Sequence, residues 1–94
     1  MTFIKVVRVM ERWTDGDKKH YLHEISLNTN HITFLTENHE MKTMLKEGKI
    51  DFNLHPQADF TDIKLTSGKK ITVIGNSSII ESKIMKTNKK LLRD

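Results

Sequence analysis

Phe60-Thr61-Asp62-Ile63-Lys64-Leu65-Thr66-Ser67-Gly68-Lys69-Lys70-Ile71-Thr72-Val73-Ile74 is the stretch that decides the fold. Phe60, Ile63 and Leu65 precede Ser67-Gly68, and Ile71, Val73 and Ile74 follow it. Two runs of β-forming residues therefore flank a glycine that accepts positive φ, which is the signature of a β-hairpin. Directly downstream, Ser78-Ile79-Ile80-Glu81 has the spacing of a capping box, in which a Ser hydroxyl and a Glu carboxylate each satisfy a free N–H at a helix start. Ile80 and Ile84 stand four apart and Leu91 continues their line, so one face of this helix is apolar.

A similar pattern lies upstream. Ile25-Ser26-Leu27, a turn at Asn28-Thr29-Asn30, Ile32-Thr33-Phe34-Leu35 and a helix around Met41 and Leu45 parallel the stretch above at an offset of 38 to 39 residues. Asn38 is suited to cap the first helix and Gly48 to end it. A duplicated hairpin-helix unit, residues 23–48 and 61–86, is one explanation of the parallel, and the commonness of Ile, Thr and Leu in hairpins is the other.

Ahead of both units, Phe3 to Trp13 reads as a long first strand, Asp15-Gly16-Asp17 as a turn, and Lys19 to Leu27 as a second strand with Tyr21, His23, Ile25 and Leu27 on its inward face. The expected fold is α+β in one domain over 1–94: a small antiparallel sheet with two helices in the order β-ββα-ββα. Residues 49–59, which hold the only proline, form a connection, and the tail 87–94 is expected to fray.

Composition narrows the function. The absence of cysteine excludes a disulfide framework, a thiolate metal site and a cysteine nucleophile. Met1 to Met10 alternates Lys5 and Arg8 with apolar residues and never builds a long uncharged run, which points to a cytoplasmic protein with no membrane partner. A chain of this size has a small core, so homo-oligomerisation is expected to support it.

Five histidines (His20, His23, His31, His39, His55) lack the spacing of a metal-binding helix, and no serine sits in a nucleophile elbow. No catalytic residue, metal or cofactor is assigned. Gly68-Lys69-Lys70 lacks the preceding glycine of a phosphate loop and is followed by a strand.

The +4 net charge is uneven: residues 1–47 hold seven basic and seven acidic side chains, and residues 48–94 hold nine and five. An anion-binding surface is therefore sought in the C-terminal half. Ser77 and Ser78 bring hydroxyls and free N–H groups to a helix start, with Lys69 and Lys70 placed to assist. Lys83, Lys86, Lys89, Lys90 and Arg93 recur at helical intervals as a basic stripe. A nucleotide-type ligand or a nucleic acid is the expected partner. The alternative is a protein target, bound through Met10, Trp13 and an exposed strand edge.

Thr61 to Val73, with the helix through Ile80 and Ile84, resembles the small flagellum-associated family called FlbD. The resemblance covers residues 61–84, about a quarter of the chain, and implies the same strand, turn, strand and helix without implying site residues. Richness in Lys, Ile, Asn and Thr also resembles small proteins of AT-rich bacteria and their phages. Such proteins commonly act by stoichiometric binding.

Overall fold

The computed structural model describes residues 2–50 and 58–92, except for the side chains of 87–92. In chain order it comprises β1 (Phe3–Thr14), β2 (Asp17–Asn28), a 3-10 turn (Thr29–His31), β3 (Ile32–Glu37), α1 (His39–Lys46), β4 (Phe60–Leu65), β5 (Lys70–Ile74) and α2 (Ser77–Leu92). This is an α+β fold with the expected β-ββα-ββα order. All its strand pairs are antiparallel. No helix among the described residues is long and apolar enough to cross a membrane. Most of the 49–59 connection lies outside the described residues.

β4 and β5 form the expected hairpin, with Ile63 opposite Ile71 and Gly68 at φ 93° in the turn. β2 and β3 do not. The strand order is β2-β1-β5-β4-β3, which puts β2 and β3 on opposite edges of the sheet. The first half of the suspected duplication is thus no hairpin. β2 instead finds its partner in β1, along all twelve of its residues. The physical reason is the tight turn before it: Asp15 and Gly16 both have positive φ, 51° and 81°, which two-residue hairpin turns require. Thr14 and Asp17 close the ladder directly, so the turn is two residues rather than three and β2 starts two residues earlier than expected.

Joining opposite edges through a three-residue turn forces the sheet to roll. Four Cα steps from Asn28 to Ile32 span at most about 15 Å, whereas the edges of a flat five-stranded sheet stand roughly 19 Å apart. The neighbouring ladders run on to both ends of this turn: Thr29 N–H donates to the Thr2 carbonyl at 2.9 Å, extending β1 with β2, and Thr66 N–H donates to the His31 carbonyl at 2.8 Å, extending β3 with β4.

The roll separates two cores by strand alternation. The inner core holds Ile4, Val6, Leu27, Ile63, Ile71 and Val73, and receives Ile80 of α2 with Ile84 packed beside it. The outer core holds Val9 and Phe60 under Met41 and Leu45 of α1, with Ile50. Ile63 and Val73 are fully buried and Phe60 nearly so.

Asn38 caps α1 as expected, its side-chain oxygen accepting from Met41 N–H at 2.8 Å while its amide donates to Asp62 at 2.9 Å. At α2 the cap differs from expectation. Asn76 accepts from Ile79 N–H at 2.9 Å, so the helix starts one residue before Ser78 and the Ser78-Glu81 box is not used.

Candidate functional site

The structure takes apart the anion site expected in the C-terminal half. Lys70 opens β5 and Ser77 lies beyond its far end, a strand of five residues away, or roughly 16 Å. Lys70 also projects on the outer face, where its ammonium lies 3.7 Å from Asp62, whereas α2 packs on the inner face. Lys69 is exposed in the hairpin turn. Neither lysine assists the start of α2.

That helix start already holds an anion, supplied by the chain itself. Glu37, at the end of β3, accepts from the Ser77 N–H at 3.0 Å and from the Ser77 hydroxyl at 2.7 Å. The backbone bond first, then the hydroxyl bond, hold the Glu37 carboxyl below the usual carboxylate range. A carboxylate at a helix N-terminus is the electrostatic complement of its partial positive charge. Ser78 remains exposed and lines a shallow groove of about 410 Å³ with Ile79, Ser82 and Lys86.

Lys83 does structural work. Its ammonium donates to the Lys5 carbonyl at 3.0 Å, tying α2 to β1. Lys86 is exposed on α2. Lys89 and Lys90 belong to α2 but their side chains lie outside the described residues, as does Arg93.

A different cationic surface appears on β1 and β2. β1 pairs with β5 only at Arg8 and Val9, so the hairpin beyond them projects as a two-stranded arm. The radius of gyration is 14.5 Å, against about 12 Å for a compact chain of this length. On the inner-parity side, from the last pairs beside β5 out into the arm, three cross-strand pairs follow one another: Arg8 with His23, Met10 with Tyr21, and Arg12 with Lys19. No carboxylate stands among these six residues, and Asp17 follows only at the tip. The Arg12 guanidinium lies 5.3 Å from the centre of the Tyr21 ring.

The opposite side of the arm carries Val7 with Glu24, Val9 with Leu22, Glu11 with His20, and Trp13 with Lys18. Its charges are mixed and paired: Glu11 is 3.1 Å from the Lys18 ammonium and 3.6 Å from His20. These groups line a cleft of about 320 Å³ against Met41, Met44 and Thr72. Among the described residues no cluster of three or more ligating side chains is placed to hold a metal ion.

Trp13 is 70% exposed near the tip. Tyr21 and His23, read from the sequence as inward, are exposed, because the apolar packing that covers Ile25 and Leu27 does not extend to them. Phe3 and Phe34 are likewise exposed. Arg8 carries a further feature: its Nε is buried and has no hydrogen-bond partner among the described residues.

Sequence reasoning missed the cationic ladder because it counted charge along the chain. The signal was present in the Asp15-Gly16 turn, which once read as two residues dictates every cross-strand pair. No family model, curated protein or solved structure matches the chain.

Proposed function

We propose that the chain is a non-catalytic, homo-oligomeric, cytoplasmic binding protein that captures an anionic partner, a nucleic acid, on the inner-parity side of its projecting arm. The observation that carries this reading is the register that gathers Arg8, Arg12 and Lys19 with His23 on one side of a two-stranded ribbon, where Asp17 at the tip is the one carboxylate. A β-ribbon fits the major groove of a duplex, and a row of cations tracks phosphates. Tyr21 adds a ring on which a base stacks.

The test is fluorescence anisotropy with labelled duplex and single-stranded oligonucleotides over a salt series. Binding should weaken steeply with salt, and Arg12→Glu with Lys19→Glu together should lower affinity by about a hundredfold and flatten the salt slope by about two. Salt-independent binding, or an unchanged slope in the double variant, would remove the arm from this role.

A second reading, favoured by the exposed Trp13, is an adaptor that inserts this side chain into a protein partner. A tryptophan anchor is typically worth about 2 kcal/mol or more in an interface. Its affinity would fall on Trp13→Ala and respond little to salt.

A further inference from the structure

Within the projecting arm Arg12 stands directly opposite Lys19. Like charges facing one another destabilise a ladder, and among the described residues no carboxylate pairs with either. Cations elsewhere on the fold are neutralised: Lys18 by Glu11, Lys42 by Asp59 and Lys70 by Asp62. The Arg12–Lys19 pair therefore holds an electrostatic cost that a bound anionic ligand would relieve.

Arg12 is also held in place. Its guanidinium lies 5.3 Å from the centre of the Tyr21 ring, a contact that orients the planar fork before any ligand arrives. The residue is exposed and lies past Val9, where the pairing of β1 with β5 ends. The residues that share its side of the ladder, Arg8, Met10, Lys19, Tyr21 and His23, include no carboxylate and no carboxamide. Arginine and lysine donate hydrogen bonds and never accept them.

We infer that Arg12 reads guanine in the major groove of a DNA duplex. Phosphates satisfy a cationic surface without regard to sequence, whereas base edges differ. In the major groove guanine presents two acceptors, N7 and O6, which a guanidinium fork meets with two parallel bonds, while adenine and cytosine each present an amino donor. A side rich in donors and without carboxylate or carboxamide acceptors matches the first pattern and leaves the amino groups of the others unmet. The five residues Met10–Thr14 carry β1 past its pairing with β5. They span roughly 17 Å of strand, enough to cross a groove about 12 Å wide. The deep, narrow major groove of an RNA duplex does not admit such a ribbon, so the partner is DNA.

This deepens the nucleic-acid reading of the proposed function and rests on it. The test is fluorescence anisotropy at one salt concentration with four labelled duplexes of equal length: DNA of G·C pairs, DNA of A·T pairs, the first with 7-deazaguanine in place of guanine, and RNA of G·C pairs. The G·C DNA should bind about tenfold more tightly than the A·T DNA or the RNA, and several-fold more tightly than the 7-deazaguanine duplex, which lacks one of the two acceptors. Arg12→Lys keeps the charge and loses the fork. It should bring the preference for G·C DNA to within about twofold and leave the salt slope on A·T DNA unchanged. Circular dichroism on this variant checks that it folds.

Equal affinity for G·C and A·T DNA overturns the inference. So does a preference that survives 7-deazaguanine or Arg12→Lys, or RNA bound as tightly as DNA. Binding that stays steeply salt-dependent in any of these cases leaves the broader anionic reading standing, whereas no binding to any duplex removes both.

Discussion

The two hairpins of this protein are built from the same alternation and put to opposite uses. β4 and β5 lie in the middle of the sheet, with strands on either side and a core on both faces, and Ile63, Val73 and Phe60 are buried there. β1 and β2 begin in that core with Ile4, Val6 and Leu27, then leave it after Val9, and Arg12, Trp13, Lys18 and Lys19 are exposed. A strand is stabilised by what covers it. The same ladder that is a scaffold in one hairpin becomes a presented surface in the other.

If stability resides in the central hairpin, Phe60→Ala should cost about 3–5 kcal/mol in urea denaturation, since it empties the outer core beneath α1. Trp13→Ala should change the same measurement by no more than about 0.5 kcal/mol. A large loss from Trp13→Ala would break the comparison and make the arm part of the folded core.

The two helix caps sharpen it further. Asn38 both caps α1 and bonds Asp62 of β4, whereas the Asn76 side chain caps α2 at Ile79. Asn38→Ala should therefore cost about 2 kcal/mol and Asn76→Ala about 1 kcal/mol. Equal losses would mean that the tie from α1 to the central hairpin adds nothing.

The smallest expected effect concerns acid. Glu37 is held below its ordinary pKa by the start of α2, so it stabilises the fold above the ordinary carboxylate range and loses that contribution as pH falls through its depressed value. Stability followed below about pH 5 should fall less steeply in Glu37→Gln than in the unaltered chain. An identical acid limb would show that the carboxylate's charge is immaterial to the contact.

The readable parts of the fold share one property: their cause is local. The Ser67-Gly68 turn, the Asn38 cap, the apolar spacing of Ile80 and Ile84, and the order β-ββα-ββα all follow from neighbours within a few residues. The upstream hairpin was misread because Asn28-Thr29-Asn30 is a competent turn either way. Whether β2 pairs with β3 or with β1 depends on a rival turn at Asp15-Gly16 and on a remote strand. The site was misread for a related reason. Ser77 does face an anion, but Glu37 lies 40 residues away, and no local pattern announces that it fills the position.

The sequence by itself determined the α+β class, the central hairpin, the helices and the outward Trp13, because backbone preferences and spacing act over one or two turns of chain. Tertiary structure alone decided which strands share an edge, which carboxylate closes the start of α2, and that a half of the chain with balanced charge carries the cationic ladder. Side-chain alternation sorts charges between faces, and net charge along a chain is blind to that sorting. Only the paired register makes it visible.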